Sequence, residues 1–105
     1  MRFRFHDKLY SDGYSDRQLK NVKNNIIKGK LKTGPFLVTL PVANEGVLEI
    51  YRYPEFLQPA YKNIDDEVVV VGIAKSKEDA FSLVERIVKD VGVVDGKLNI
   101  MDFFK

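Results

Sequence analysis

Residues 68–74 form an uninterrupted apolar run, and a helical pattern follows it almost at once. A short run of β-branched and apolar residues is typical of a strand that is buried on both faces. Over Lys77–Val91 the apolar residues recur at helical spacing, which predicts a helix with a wide apolar stripe. Ser76 supplies an N-cap oxygen and Gly92 a helix terminator. Both faces of this strand must be covered by apolar side chains, and the rest of the chain has to supply those that the helix does not.

A second helix and a first strand are predicted near the N-terminus. Residues 2–5 alternate arginine and phenylalanine, which is the period-two pattern of a strand with one buried face. The Ser15-Asp16 pair offers side-chain oxygens for a helix start, and apolar residues at helical spacing continue to residue 28. Gly29 follows as a plausible C-cap. The spacing therefore predicts a helix over residues 16–28.

The middle of the chain predicts two further strands. Residues 36–40 and 47–53 are rich in strand-forming residues and end at Pro41 and Pro54, where the missing amide stops a sheet ladder. A hairpin is the simplest arrangement of this pair. Residues 54–66 are predicted as a packed loop, and residues 97–104 as either a short strand or a single helical turn.

These elements predict a single α+β domain over residues 1–105. Two helices with one apolar face each and four strands are best buried as a two-layer sandwich, with a four-stranded, mainly antiparallel sheet and both helices on one face. The specific topology we expect is ferredoxin-like with one added strand. The longest apolar run is far shorter than a membrane span, and the charged N-terminus does not resemble a signal peptide, so we expect a cytoplasmic protein.

The strand-to-helix unit also carries a resemblance. Residues 70–75, which read VVGIAK, are followed by the EDA of residues 78–80 and the LV of residues 83–84. Together with residues 1–10, this segment resembles a group of small uncharacterised proteins of Gram-positive bacteria of about this length. Members usually have glycine where this chain has Ser76, so the serine is expected to cap the helix better. The resemblance implies a shared fold unit and no particular chemistry.

Composition argues against catalysis. The chain has no cysteine and one histidine, which excludes disulfides, thiolate chemistry and a zinc site built by one chain. His6 beside Asp7 is the one place for an oriented base, but the sequence does not select a nucleophile for it; the serines to consider are Ser11, Ser15, Ser76 and Ser82. We therefore expect a protein that is not an enzyme and binds no cofactor and no metal.

Two further segments could bind an ion: one a cation and the other an anion. The acidic run Asp65-Asp66-Glu67 lacks the ligand spacing of a calcium loop and is better explained as a solvated turn. The helix that begins at Ser76 has free amides at its first turn, with Lys75 and Lys77 beside them, which suits an anion. An ordinary capped helix explains the same residues more simply.

Charge is uneven along the chain. Residues 1–46 contain nine basic and four acidic residues, net +5, whereas residues 47–105 contain eight and eleven, net −3. Helical spacing places Arg17, Lys20 and Lys28 within about 80° of one another, away from the apolar stripe. Nucleic-acid binding is therefore the alternative function, and its candidate residues are Arg17, Lys20, Lys23, Lys28, Lys30 and Lys32.

An aromatic cluster gives the preferred function. Tyr51 and Tyr53 share one face of the predicted third strand, and Phe56 and Tyr61 follow in the loop. Such rings suit a protein interface, although they equally suit the covering of an open sheet face. We expect a small interaction domain that associates with itself or with another protein through Tyr51, Tyr53, Phe56 and Tyr61.

Overall fold

The apolar run forms strand β4, Glu67–Ala74, in a computed structural model that describes residues 2–29, 34–41, 48–53 and 67–104. β4 lies inside a four-stranded sheet. On one side it pairs with β1, Arg2–Asp12, and on the other with β2, Phe36–Thr39. The outer neighbour of β2 is β3, Glu49–Arg52. The most apolar strand of the chain is thus the one whose edges and faces are best covered.

The sheet is mixed. β1 runs parallel to β4, whereas β2 runs antiparallel to both β4 and β3. The expectation of a mainly antiparallel sheet is wrong, because the longest ladder is the parallel one between β1 and β4. Parallel strands need a long connection, and more than 50 residues separate these two strands.

The helices α1, Asp16–Lys28, and α2, Lys77–Val91, pack on opposite faces of this sheet. Leu37 of β2 belongs to a core cluster with Ile26 of α1, whereas Val38 belongs to a second cluster with Leu83 of α2. Consecutive residues of a strand point to opposite faces, so the two clusters lie on the two sides of the sheet. The predicted two-layer sandwich with both helices on one face is therefore wrong.

Both helices begin and end where the sequence predicts. Ser15 Oγ accepts from the Gln18 amide at 3.2 Å, and the Gln18 side chain accepts from the Ser15 amide at 3.0 Å, which forms a capping box. Gly29 ends α1 in the left-handed conformation, with φ of 66°. Ser76 caps α2 by accepting from the Asp79 amide at 3.1 Å. Within the described ranges, no helix is long and apolar enough to cross a bilayer.

A small C-terminal unit follows α2. It consists of a hairpin, β5 at Val93–Val94 and β6 at Lys97–Leu98, and a one-turn helix α3 at Ile100–Phe103. Both alternatives predicted for residues 97–104 thus occur in succession. A ferredoxin-like topology needs a strand after α2 to join the main sheet. Among the described residues β5 and β6 pair only with each other, so that expectation is also wrong.

Candidate interaction surfaces

The two described members of the predicted aromatic surface pack into the core. Tyr53 is 1% exposed and packs with Ile26 and Leu37, and burial raises the pKa of its phenol. Tyr51 is half-buried in the same cluster and donates its hydroxyl proton to Glu49 Oε2 at 2.9 Å. The expectation that Tyr53 presents its ring to a partner is therefore wrong, because the ring covers the sheet. Phe56 and Tyr61 lie outside the described residues.

The basic surface of α1 is present as predicted for three of its members. Arg17, Lys20 and Lys28 are exposed. Lys23 is half-buried, and its Nζ lies 5.7 Å from the centroid of the Phe5 ring, so it faces β1. Lys30 and Lys32 lie outside the described residues. The structure thus brings Arg17, Lys20 and Lys28 together on the outer face of α1 and separates Lys23 from them.

His6 lies in β1 and is buried against Phe104 near the end of the chain. Its Nδ1 accepts from the Lys8 amide at 3.0 Å, so the proton resides on Nε2, which donates to the carbonyl oxygen of Phe104 at 2.9 Å. The ring also meets the Phe104 ring edge-on, with centroids 5.0 Å apart. Both nitrogens are therefore occupied by backbone groups, and the geometry gives His6 a structural role rather than that of a base.

The four candidate nucleophilic serines are not placed beside His6. Ser15 and Ser76 cap the two helices, and Ser82 donates to the carbonyl oxygen of Glu78 at 3.2 Å. Ser11 lies in β1, five residues beyond His6. The structure therefore does not assemble a serine with the imidazole.

An open groove of about 430 Å³ lies where β1 loses its register with β4. Phe5 pairs with Val70 and Tyr10 with Gly72, so four residues of β1 are opposite the single residue Val71. Such irregularities redirect side chains at sheet edges. The groove is lined by Asp7, Lys8, Leu9, Tyr10, Ser11 and Arg86.

The phenol of Tyr10 is held protonated in this groove. It donates to Asp90 Oδ2 at 2.5 Å, and the Arg86 guanidinium carbon lies 5.7 Å from its ring centroid. Burial, the hydrogen bond and the negative charge of Asp90 raise the pKa of Tyr10 to about 12, and Arg86 opposes them. Tyr10 is therefore protonated at neutral pH and acts as the hydrogen-bond donor to Asp90.

The N-terminus of α2 is filled by its own side chains. Ser76 Oγ caps the Asp79 amide, and Glu78 and Asp79 place two carboxylates in the first turn. These groups already complement the positive end of the helix dipole. Lys75 is directed away from this end, with its Nζ 5.0 Å from the centroid of the Tyr14 ring. The arrangement is that of a capped helix. Of the acidic run, Asp65 and Asp66 lie outside the described residues, and Glu67 forms an ion pair with Arg4.

Among the described residues, the two most exposed large apolar side chains lie in the C-terminal unit, which sequence reasoning missed as an interaction site. Val93 and Val94 are each 68% exposed, and Met101 of α3 is 57% exposed. The hairpin turns at Asp95 and Gly96, whose φ angles of 52° and 74° are those of a type I′ turn. Asp-Gly between apolar residues is a strong hairpin signal, so the sequence contained what was needed to find this element.

A groove of about 560 Å³ separates the hairpin from α3. Val94 and Phe103 supply apolar walls, and Lys97, Asp95 and Asp102 supply charge. Val94 and its cross-strand partner Lys97 face this groove, so Val93 points to the other face of the ribbon. The unit thus offers apolar contacts on both faces.

Comparison with known protein families, with curated proteins and with solved structures finds no match for this chain. The resemblance of the strand-to-helix unit to small proteins of Gram-positive bacteria therefore stays a prediction.

Proposed function

We propose that this chain is a small interaction domain that associates with a second copy of itself through the β5–β6 hairpin. The observation that carries the proposal is the exposure of Val93 and Val94, 68% each, on opposite faces of one ribbon. Burial of a valine side chain contributes about 1.5–3 kcal/mol, so two uncovered valines are a considerable driving force for association.

The geometry of the hairpin suits pairing with another strand. A two-stranded ribbon is marginally stable in water on its own, and in the described part of the chain neither β5 nor β6 has a second neighbour. Edge-to-edge pairing of two β5 strands around a twofold axis would give a four-stranded antiparallel ribbon. In that arrangement valines of the two copies become neighbours on each face.

Charge favours a second copy as the occupant. The hairpin contains one acidic residue, Asp95, and one basic residue, Lys97, so two hairpins approach without net repulsion. The two charges flank the turn glycine of the same hairpin, so each copy carries its own compensating charge at the turn. The outer face of α1 is unsuited to self-association, because its three cations would repel those of a second copy.

The size of the surface sets the expected affinity. Stable complexes bury about 800 Å² on each partner, which is more than a hairpin of six residues offers. The contact must therefore extend to Met101 and the groove beside Phe103, and we expect weak association, with Kd of about 10–100 μM.

Sedimentation equilibrium tests the proposal, with the double variant Val93→Thr/Val94→Thr. Threonine keeps the β-branched shape and the strand preference of valine but adds a hydroxyl, so the hairpin should persist while its apolar contact is lost. Ile27→Gln is the matched control, because Ile27 is 62% exposed on α1, which packs on the other face of the sheet.

The wild type and Ile27→Gln should both contain dimer at about 100 μM, whereas the double valine variant should be monomeric with an unchanged thermal transition. A monomeric wild type at that concentration contradicts the proposal. Equal weakening of association by Ile27→Gln does so as well, because association would then not depend on the hairpin.

A further inference from the structure

A second surface, on α1, has a different chemistry from the hairpin. Its outer face presents Arg17, Lys20 and Lys28, with Asn21 and Asn24 between them. Helical geometry places these five residues within an arc of about 100°. All five residues are exposed, and the arc contains no carboxylate.

The three cations of this face are available to a ligand. Within the described ranges, Arg17, Lys20 and Lys28 have neither a carboxylate partner nor an aromatic ring beneath them. Lys23 shows the contrast, because its Nζ lies over Phe5. The cations span about 16 Å along the helix axis, given a rise of about 1.5 Å for each residue.

We infer that the outer face of α1 binds double-stranded nucleic acid through its phosphate backbone. A duplex carries about one negative charge per 1.7 Å, so each of three cations spread along 16 Å has a phosphate within reach. Asn21 and Asn24 lie between the cations and can donate amide protons to phosphate oxygens. The inference does not depend on self-association, because the hairpin and α1 are separate surfaces.

The same face is unsuited to two other polyanions. A helix that binds a membrane surface inserts its apolar side into the lipid. The apolar side of α1 is committed to the sheet through Leu19, Val22 and Ile26. Binding of a single strand relies on exposed aromatic rings for base stacking, and the arc of five residues contains none. A duplex is therefore the nucleic acid that this surface fits.

The experiment is a fluorescence anisotropy titration of a labelled DNA or RNA duplex. Three neutralised phosphates predict a log-log salt slope of about −2.7, which is about 40-fold weaker binding at 200 mM than at 50 mM salt. Lys20→Glu/Lys28→Glu should weaken binding at least tenfold. Lys77→Glu/Lys89→Glu on α2 makes the same change in net charge on another exposed helix and should change binding by less than about twofold.

A milder pair, Lys20→Gln/Lys28→Gln, retains good helix-forming residues and guards against loss of the fold. It should reduce the slope to about −0.9, as expected for one remaining phosphate contact. The inference is overturned if no duplex binds with a Kd below about 100 μM at 50 mM salt. It is equally overturned if the α2 pair weakens binding as much as the α1 pair. Vesicles containing phosphatidylserine should not bind, and binding to them as tight as to the duplex would overturn it.

Discussion

The Nε2–H of His6 donates to the carbonyl oxygen of Phe104 at 2.9 Å and so joins residues 98 positions apart in the chain. The Nζ of Lys8 makes a parallel contact with the carbonyl oxygen of Phe103 at 3.0 Å. Tyr10 adds a ring contact with Phe104, with centroids 6.4 Å apart. Strand β1 thereby holds α3, and α3 forms one wall of the groove beside the hairpin. The position of the proposed interaction surface depends on these contacts.

Replacing His6 with alanine should lower the unfolding free energy by about 2–4 kcal/mol. The loss combines a buried carbonyl left without its donor, about 1–3 kcal/mol, with a lost edge-on ring contact, about 0.5–1.5 kcal/mol. Urea denaturation measures the total, and hydrogen exchange of residues 100–104 should accelerate because α3 is released from β1.

His6→Gln separates the two contributions. Its amide N–H has a similar reach, so the hydrogen bond to Phe104 can form again while the ring contact is lost. This variant should therefore be more stable than His6→Ala. A stability of His6→Ala within about 0.5 kcal/mol of the wild type would show that the contact does not hold α3.

The pKa of Tyr10, raised to about 12, makes a prediction about alkaline pH. Between about pH 10 and 12 the unfolded chain loses the phenolic proton and the folded protein keeps it, so ionisation lowers the unfolding free energy as pH rises through this window. Tyr10→Phe has no proton to lose there. Above about pH 10, the unfolding free energy of the wild type, measured by urea denaturation, should therefore fall relative to that of Tyr10→Phe.

Asp90→Asn identifies the cause of the shift without removing the phenol. Both the hydrogen bond and the negative charge of Asp90 raise the pKa of Tyr10, so the variant should ionise Tyr10 at lower pH than the wild type does. Ultraviolet titration of tyrosinate measures this, with Tyr10→Phe to assign the transition. An unchanged transition in Asp90→Asn would refute the role given to Asp90.

The local part of the fold could be predicted because its causes are local. Ser15, Gly29, Ser76 and Gly92 mark the ends of both helices, since the groups that satisfy a helix end lie within a few residues of it. The buried strand was evident from its composition alone. The outer cations of α1 followed from helical spacing, which fixes which side chains oppose the apolar stripe.

The arrangement of the sheet could not be predicted in this way. Pairing of β1 with β4 depends on residues more than 60 positions apart, such as Phe5 and Val70, and no local pattern encodes it. The burial of Tyr53 could not be predicted for the same reason, because the residues that pack on it, Ile26 and Leu37, belong to other elements. The β5–β6 hairpin is different, because its Asp95-Gly96 turn signal is local and lies in the sequence itself.

Gly34, which precedes β2, tests how closely the chain approaches Tyr53 at the end of β3. A Cβ at Gly34 would lie 2.7 Å from Cβ of Tyr53, and the Tyr53 amide is fixed by donation to the carbonyl oxygen of Pro35 at 2.9 Å. At a glycine whose backbone conformation alanine can adopt, the substitution stabilises by about 0.4–1 kcal/mol through the unfolded state. Here overpacking should outweigh that gain, because a buried ring on a hydrogen-bonded backbone cannot move aside, and we expect a net loss of about 1–2 kcal/mol.

Gly72→Ala is the matched comparison within the same sheet. Its Cβ would meet Cβ of Val38 at 3.1 Å and Cδ1 of Leu83 at 3.3 Å, and the leucine methyl can shift by a few tenths of an ångström. Urea denaturation should therefore rank Gly34→Ala as less stable than Gly72→Ala, with the wild type the most stable. If Gly34→Ala matched the wild type, Tyr53 would have room to move, and its close packing against Gly34 would be wrong.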